Sequence, residues 1–159
     1  LHTAYRRQRQ MCIRDRDGIV RRAVRRFAGE FIGRKLKLCY EPLNVSCVTD
    51  EKWLLFVIEQ VLSNALKYTR AGSITIELEA PKTLVIRDTG IGVAPEDLPR
   101  IFEKGYTGYN GRGDQKASGL GLYLCRTICK RLGHTITASS VPDHGTAIRI
   151  TLEQRQVRE

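Results

Sequence analysis

The chain has 159 residues, which is enough for one domain with its own hydrophobic core but short for two. Hydrophobic residues make up 42% and charged residues 28%, so the composition is that of a folded protein and is too apolar for a disordered one. No uncharged apolar run approaches the roughly 20 residues of a membrane-spanning helix, and the first residues lack a signal-peptide pattern. The sequence as it stands therefore favours neither membrane insertion nor secretion.

The net charge of +10 is unevenly distributed. Residues 1–35 hold 11 Lys and Arg against 3 Asp and Glu, whereas residues 36–159 hold 16 against 14. Binding to nucleic acid needs cations gathered on the folded surface that meets phosphate. Since the body of the chain is nearly neutral, we expect no nucleic-acid partner.

Five cysteines are present without a C-x-x-C pair, so neither a disulfide framework nor a zinc site is indicated: Cys12, Cys39, Cys47, Cys125 and Cys129. Cys125 and Cys129 are one helical turn apart. We predict that both pack as small apolar residues.

The first residues, LHTAYRRQRQMCIRDRD, have no sustained hydrophobic periodicity. They resemble a translated sequencing adaptor, and we predict that residues 1–16 are a non-native or disordered leader. A truncated natural linker is the alternative. Residues 17–153 form the predicted domain, and residues 154–159 form a solvated tail.

The periodic pattern begins with an amphipathic helix from Asp17. Its apolar face is predicted to hold Val20, Val24, Phe27 and Phe31. The opposite face holds Arg21, Arg22, Arg25 and Arg26. An arginine face can meet acidic partners or lipid headgroups, but a solvated surface is the interpretation we favour.

Two β-like stretches follow, at residues 35–41 and 44–48, and are predicted to form a hairpin or two adjacent strands. A long helix is then predicted over residues 51–69, with Thr49 or Asp50 as its N-cap. Its core positions are Leu54, Val57, Ile58, Val61, Leu62 and Ala65. Residues 73–79 and 83–87 alternate as two strands joined near Pro81.

Residues 88–118 break this pattern with a short predicted helix in PEDLPRIFE and a glycine-rich stretch at 105–118, which is typical of a functional lid. A helix is predicted over residues 119–132. Its apolar side is predicted to hold Leu120, Leu124, Ile128 and Leu132. Strands at 134–139 and 145–152 end the domain. This order predicts an α/β two-layer sandwich with a mixed sheet and its helices on one face.

The helix at 51–69 carries polar residues at i, i+4, i+7 and i+8 on one face: Gln60, Asn64, Lys67 and Tyr68. Simple exposure to solvent explains such a face equally well. Asn64, however, is a poor helix former at mid-helix. A carboxamide oxygen is a good ligand for a hard cation.

Two glycine motifs accompany this face. Asp88-Thr89-Gly90-Ile91-Gly92 follows an apolar strand, where a carboxylate can accept a hydrogen bond from the exocyclic amine of adenine; an Asp-Gly turn is the alternative. Ser118-Gly119-Leu120-Gly121-Leu122 opens a helix after the lid, where backbone N–H groups favour phosphate.

Together these segments resemble the boxes of the catalytic and ATP-binding domain of two-component sensor histidine kinases, in the Bergerat-type ATPase superfamily. VIEQVLSNALKYT resembles the N box, RDTGIGVAPEDL the first glycine box, RIFEKGY the F box, SGLGLYL the second glycine box and HGTAIRITL a terminal glycine motif. The amino-acid sequences of the N box and of the segment IFEKGYTGYNGR resemble those of kinases that sense bacitracin and other envelope antibiotics.

The resemblance implies a Bergerat-type fold and transfer of the γ-phosphoryl group of ATP to a histidine. Asn64 is then expected to hold Mg²⁺, Lys67 to contact phosphate and Tyr68 to pack beside adenine. Further nucleotide-binding positions are implied along the chain: Asp88 at the adenine amine, Gly90 and Gly92 beside the base, Gly119, Leu120, Gly121 and Leu122 at the phosphates, and Thr146 supporting Asp88.

Gln60 departs from the family pattern, which often has Asn at this position. Its amide is still a candidate Mg²⁺ ligand, directly or through water. Hydrolysing relatives have a Glu general base there, and an uncharged Gln cannot take a proton in that way. We therefore predict slow ATP hydrolysis without an acceptor.

The lid offers three cations for the transferring phosphoryl group, Lys104, Arg112 and Lys116. We rank Arg112 first because a guanidinium suits bidentate phosphate contact. Many relatives have an Arg where this chain has Thr107, so the resemblance leaves the identity of the cation open.

The phosphorylated histidine of the family is absent. His2 lies in the leader, and His134 and His144 are expected to be structural or exposed. The resemblance thus implies a missing dimerisation and phosphoacceptor segment, a response regulator, a homodimeric parent, and a cytoplasmic position in a bacterial inner-membrane protein whose anchor lies upstream.

Two other functions remain open. An anti-sigma-type serine kinase has the same fold, but its N box usually carries a His within the segment that here reads Lys67-Tyr68-Thr69. A nucleotide-binding pseudokinase is the other alternative, against which the full set of Asn and Gly positions counts.

Overall fold

Three helices and two sheets make up the part of the chain that the computed structural model describes, residues 8–12, 18–40, 46–79, 82–106 and 121–152. The helices are α1 (Ile19–Gly33), α2 (Glu51–Tyr68) and α3 (Gly121–Leu132), with a 3-10 helix at Leu98–Arg100. The strands are β1 (Gln8–Cys12), β2 (Lys37–Tyr40), β3 (Ser46–Asp50), β4 (Ser73–Glu79), β5 (Thr83–Asp88), β6 (Thr135–Val141) and β7 (Gly145–Thr151). Within these residues no helix is long and apolar enough to cross a membrane.

The main sheet has five strands in the order β2-β4-β5-β7-β6. β2 runs parallel to β4, and all other neighbours are antiparallel. The register aligns Ile76 with Ile86 and Ile86 with Ile148, while Leu84 pairs with Ile150. Since side chains two apart on a strand share a face, these residues form one apolar surface.

The helices cover that apolar surface as a single layer, as predicted. α2 lies against β5 and is flanked by α1 and α3. The core positions predicted on α2 are all buried: Leu54, Val57, Ile58, Val61, Leu62 and Ala65. Val20 and Phe31 of α1 are buried with them, and Val24 and Phe27 pack against them.

The other face of the sheet is polar. Arg87 on β5 donates to Glu77 at 2.5 Å and to Glu79 at 2.7 Å, and Arg149 on β7 donates to Glu79 at 3.3 Å. These neighbours raise the pKa of Arg87, and the hydrogen bond that Arg87 donates to Glu77 contributes most. Charged cross-strand pairs of this kind suit a surface that no helix covers.

The arginine face of α1 is only partly the solvated surface we expected. Arg22 pairs with Glu51 and Arg26 pairs with Glu59, so two of the four arginines reach across to α2. Their side chains remain 42% and 63% exposed, which limits how much these pairs stabilise the fold.

The predicted hairpin at residues 35–41 and 44–48 is wrong. β2 pairs with β4 of the main sheet, whereas β3 pairs with β1 in a separate two-stranded sheet. Alternation of apolar and polar residues identifies a strand but not its partner. In the structure Leu38 of β2 pairs with Ile74 of β4, which belongs to the apolar surface. β1 lies within the segment predicted as a leader; that domain assignment stays a prediction.

α3 packs on a different side from the predicted one. Cys125 and Cys129 are fully buried, as expected, whereas Leu124 is 38% exposed. The helix turns its small residues towards α2, since Cys125 Sγ lies 3.7 Å from the Val57 carbonyl oxygen and there is little room between the backbones. Ile128 and Leu132 pack at the edge of this contact, and Leu120 lies outside the described residues.

The helix predicted in PEDLPRIFE is reduced to the 3-10 turn Leu98–Arg100. Pro99 has no N–H to continue a hydrogen-bond ladder, which shortens the turn. Ile101 and Phe102 then enter the core. The turn therefore serves to anchor the segment that leads towards residues 107–120, which lie outside the described part of the chain.

Candidate functional site

Four segments meet around the carboxyl end of α2. The Ile91 N–H donates to the Tyr68 carbonyl oxygen at 3.1 Å, which joins α2 to the loop after β5. The Thr146 N–H donates to Asp88 Oδ1 at 3.2 Å, which joins that loop to β7. At the start of α3, a Cβ on Gly121 would lie 3.2 Å from Gln60 Oε1. The fold thus brings together segments that are distant in sequence.

Asp88 stands at the end of β5 on the face that the helices cover. Its register partner Ile74 is a core residue, so the carboxylate continues the apolar surface. Burial raises the pKa of the Asp88 carboxyl above its ordinary value, although hydrogen bonds from Gly90 and Thr146 oppose the rise. A half-buried acid at the end of an apolar row is an expected feature of a binding site.

The two oxygens of Asp88 differ in their partners. Oδ1 accepts from the Gly90 N–H at 2.9 Å and from the Thr146 N–H at 3.2 Å. Among the described residues nothing donates to Oδ2. One oxygen therefore fixes the carboxylate, and the other is left to accept a hydrogen bond from a ligand.

Gly90 and Gly92 are explained by backbone packing. A Cβ on Gly90 would lie 2.3 Å from the Tyr68 carbonyl oxygen, and one on Gly92 would lie 2.3 Å from the Val141 carbonyl oxygen. Gly92 also has a φ of +72°, which other residues seldom adopt. The glycines allow the loop to lie against α2 and β6, and their expected role beside a base stays a prediction.

A network of hydroxyl groups holds the far side of this loop. Ser140 Oγ on β6 accepts from the Val93 N–H at 2.8 Å and donates to the Gly145 carbonyl oxygen at 2.8 Å. Thr146 Oγ1 lies 2.9 Å from Ser140 Oγ. Thr146, which was predicted to support Asp88, therefore does so through its backbone N–H, while its hydroxyl contacts Ser140.

The predicted polar face of α2 ends beside the same loop. Gln60, Asn64, Lys67 and Tyr68 are all half-buried. The Lys67 ammonium lies 5.4 Å from the centroid of the Tyr68 ring. The side chains are thus neither fully solvated nor part of the core, as a ligand-binding face requires.

Arg34 fastens the end of α2 from outside the predicted site. Its guanidinium donates to the Leu66 carbonyl oxygen and, at 2.7 Å, to the Thr69 carbonyl oxygen. The last carbonyls of a helix lack partners within the helix, and a cation there also opposes the helix dipole. Arg34 thereby holds the turn that presents Lys67 and Tyr68.

The predicted phosphate-binding residues are only partly within the described chain. Gly121 and Leu122 open α3 next to Gln60. Lys104 is exposed after Phe102, and its ammonium makes no hydrogen bond or ion pair with another described residue. The remaining predicted positions lie outside the described residues: Arg112, Lys116, Gly119 and Leu120.

Neither histidine within the described residues is placed as an acceptor. His134 is buried, with its Nε2 2.9 Å from Thr49 Oγ1, and His144 is exposed in the turn between β6 and β7. The expectation that they are structural or exposed is confirmed.

Sequence reasoning missed Ser140 and Arg34. Ser140 stands in a polar alternating strand and Arg34 in an arginine-rich segment, so neither has a distinguishing local pattern. The only available signal for Ser140 was its position five residues before Gly145 of the terminal glycine motif.

A protein-family profile described as "Histidine kinase-, DNA gyrase B-, and HSP90-like ATPase" matches residues 49–156. The chain belongs to this ATPase family. The match runs from the residue before the α2 N-cap to just beyond β7, so it includes every described segment of the candidate site. An ATPase of this family binds ATP, which has an amino group that can donate to an acceptor such as Asp88 Oδ2.

Named relatives of this ATPase domain are sensor kinases. Sensor histidine kinase YxdK of Bacillus subtilis (strain 168) is 42% identical over 121 residues, which are 70% of this chain and 37% of YxdK. Sensor protein BceS of Halalkalibacterium halodurans is 42% identical over 107 residues, 65% of this chain and 32% of BceS. The chain thus spans about a third of the length of the curated relatives it matches.

The fold agrees with that of a solved structure. The catalytic domain of histidine kinase ThkA superposes with a TM-score of 0.72 at 17% identity, covering 92% of this chain and 97% of that domain. The α/β fold predicted from the sequence is therefore the fold of a histidine kinase catalytic domain. The chain thus has the ATP-binding domain of its ATPase family, and the named relatives with which it shares that domain are sensor kinases.

Proposed function

We propose that this chain binds Mg²⁺-ATP and passes its γ-phosphoryl group to a histidine of a dimerisation segment in the parent protein. The observation that carries the proposal is the Asp88 carboxylate, which is anchored through Oδ1 and leaves Oδ2 without a described donor. An acceptor in this position suits the 6-amino group of adenine, whereas guanine offers an oxygen there. Tyr68, Gly90, Gly92 and Thr146 complete the base end of the site.

The phosphate end is assigned to the amide face of α2 and the start of α3. Gln60 and Asn64 are the proposed Mg²⁺ ligands, since amide oxygens suit this hard cation. When bound, Mg²⁺ neutralises charge on the phosphates. Lys67, Lys104, Lys116 and the backbone around Gly119–Gly121 are proposed to meet the phosphates, together with Leu120 and Leu122 beside them.

In the transfer step, a nitrogen of the acceptor histidine attacks the γ-phosphorus and the bond to the bridging oxygen of ADP breaks. Charge spreads over the phosphoryl oxygens, and Arg112 is the proposed cation that stabilises it. The chain's own contribution is to hold the nucleotide in line with the incoming histidine.

The parent protein is proposed to be a homodimer that passes the phosphoryl group on to a response regulator. Its membrane anchor is proposed to lie upstream, with this domain on the cytoplasmic side of a bacterial cell membrane. The sensor-kinase names of the relatives support this arrangement.

The test mixes the chain with Mg²⁺, γ-labelled ATP and the purified dimerisation and phosphoacceptor segment of YxdK. We expect label on the histidine of that segment, in a linkage that acid cleaves and alkali does not. A segment whose acceptor histidine is replaced by Gln serves as the negative control, and Asp88→Asn of this chain should transfer little at limiting ATP.

Other outcomes contradict the proposal. Label on a serine of an anti-anti-sigma factor would identify a serine kinase. Tight binding of Mg²⁺-ATP with no transfer to any histidine segment of the matched relatives would identify a pseudokinase.

A further inference from the structure

The hydroxyl of Ser140 has three hydrogen-bonding neighbours within 2.9 Å. They are the Val93 N–H at 2.8 Å, the Gly145 carbonyl oxygen at 2.8 Å and Thr146 Oγ1 at 2.9 Å. A serine hydroxyl has one proton to donate and two lone pairs that accept. Three neighbours are therefore as many as Ser140 can satisfy.

The identity of two neighbours decides where the protons lie. The Val93 N–H can only donate, so it occupies one lone pair of Ser140. The Gly145 carbonyl can only accept, so it takes the Ser140 proton. The second lone pair of Ser140 is left for Thr146, whose hydroxyl must then donate its proton to Ser140.

This arrangement leaves Thr146 Oγ1 with acceptor lone pairs only. Thr146 stands beside Asp88, since its own N–H donates to Asp88 Oδ1 at 3.2 Å. The two side chains that we propose to face the base thus both present acceptors, Asp88 Oδ2 and Thr146 Oγ1. A purine with a 6-amino group satisfies such a pair, whereas a 6-oxopurine places a third acceptor against it.

We propose that Ser140 is a positioning residue for nucleotide specificity, which keeps the Thr146 hydroxyl an acceptor and so selects 6-aminopurine over 6-oxopurine nucleotides. The inference rests on the proposed function, because it assumes that Asp88 and Thr146 face the base. Without Ser140, the Thr146 hydroxyl is free to turn and donate to a 6-oxo group.

The experiment measures dissociation constants for Mg²⁺-ATP and Mg²⁺-ITP by titration calorimetry. The wild-type chain should prefer ATP, and Ser140→Ala should narrow the ITP-to-ATP ratio of dissociation constants by about fivefold to tenfold, the value of one neutral hydrogen bond. Ser140→Thr keeps the hydroxyl and should keep the wild-type ratio.

Ser139→Ala is the matched control. Ser139 is the preceding residue on β6 and lies on the opposite face, where its Oγ accepts from Arg149 at 2.7 Å. The variant removes an equivalent hydroxyl and should leave the nucleotide ratio unchanged. Thermal unfolding of each variant checks that it is folded.

A second background tests the route through Thr146. In Thr146→Val, which has no hydroxyl to orient, Ser140→Ala should change the ratio no further, because the two residues act as one unit. A further change there overturns the inference. The inference is also overturned if Ser140→Ala lowers the affinities for ATP and ITP equally, because a serine with only a structural role would have that effect.

Failure of the proposed function gives a separate result. The proposed recognition of the base by Asp88 is contradicted if the folded wild-type chain binds neither nucleotide or binds ATP and ITP equally. The inference about Ser140 is then overturned as well. An ATP-selective wild type with an indifferent Ser140→Ala variant overturns the inference alone.

Discussion

At the residue scale, we expect the half-buried carboxylate of Asp88 to couple nucleotide binding to pH. Burial raises the pKa of this group, so in the folded chain it takes up a proton at a higher pH than a solvated aspartate does. Only the ionised form offers two acceptor oxygens. ATP affinity should therefore fall as the pH is lowered through the raised pKa, and we expect calorimetry across mildly acid pH to record the loss.

The same shift has the opposite consequence for stability. Between the ordinary and the raised pKa, the folded chain binds the proton more strongly than the unfolded chain, so this group's contribution to the free energy of unfolding declines as pH rises. An Asp88→Asn variant keeps an oxygen for the Gly90 and Thr146 amides and has no charge to bury.

We predict that Asp88→Asn lowers ATP affinity at neutral pH by at least about tenfold without lowering the stability of the nucleotide-free chain. Urea unfolding and calorimetry measure the two quantities. A variant that loses stability and affinity in parallel would show that Asp88 is needed for the fold and not for the ligand.

Sequence reasoning at this scale reached the residues whose chemistry is unusual for their position. Asn64 at mid-helix and Asp88 between an apolar strand and glycines are visible in one sequence. Ser140 is not, because its importance comes from partners on two other segments, Val93 and Thr146. The reason for Gly90 and Gly92 was also hidden, since it depends on where α2 and β6 pass.

At the element scale, Arg34, the C-cap residue of α1, joins the end of that helix to the end of α2. Replacing it leaves the Leu66 and Thr69 carbonyl oxygens without this donor. The carbonyl oxygen of Tyr68, between them, accepts from the Ile91 N–H of the loop after β5. We expect Arg34→Met to cost about 1–2 kcal/mol of unfolding free energy and to speed hydrogen exchange of the Ile91 amide. Urea unfolding and exchange measured by NMR test both effects.

Lys35→Met is the control for that experiment, because Lys35 is the next residue and is exposed. It should leave the Ile91 exchange rate as it is. Arg34→Lys keeps the charge but has no planar fork to span two carbonyls, so an intermediate exchange rate is expected. Equal effects of Arg34→Met and Lys35→Met would mean that general surface charge is responsible.

The bounds of the helices and strands were predicted to within a few residues wherever the hydrophobic periodicity is strong, as on α2. Which strands and helices pack against each other was harder to predict. The strand at residues 37–40 was assigned to a hairpin, because alternation carries no information about a neighbour 36 residues away, the separation of Lys37 and Ser73. The buried face of α3 was predicted wrongly, because leucines are more hydrophobic than cysteines. In the structure the small cysteine side chains face α2, since only small residues allow the two helices to lie so close.

At the scale of the whole molecule, the face of α2 that we propose meets the phosphates carries the amides of Gln60 and Asn64 and no carboxylate. Gln60 lies against Gly121. The adjacent Glu59 is drawn to Arg26 of α1, on another side of α2. The carboxylate of Glu59 therefore points away from the face of α2 that carries Gln60 and Asn64.

We expect the isolated chain to bind Mg²⁺-ATP and release phosphate very slowly. Gln60→Glu supplies a general base and should raise phosphate release, by up to about a hundredfold, whereas Gln60→Asn should not. A coupled phosphate-release assay measures both. Rapid steady hydrolysis by the wild-type chain would contradict the role given to Gln60.

The loop after β5 is tied at three successive points, with Gly90 N–H on Asp88, Ile91 N–H on Tyr68 and Val93 N–H on Ser140. A surface assembled in advance loses little freedom when it is occupied. If this surface holds the base as proposed, we expect matched and mismatched purines to associate at similar rates and to differ in their dissociation rates. The proposed selectivity is then expected to lie in the residence time of the bound nucleotide, with the mismatched base dissociating sooner.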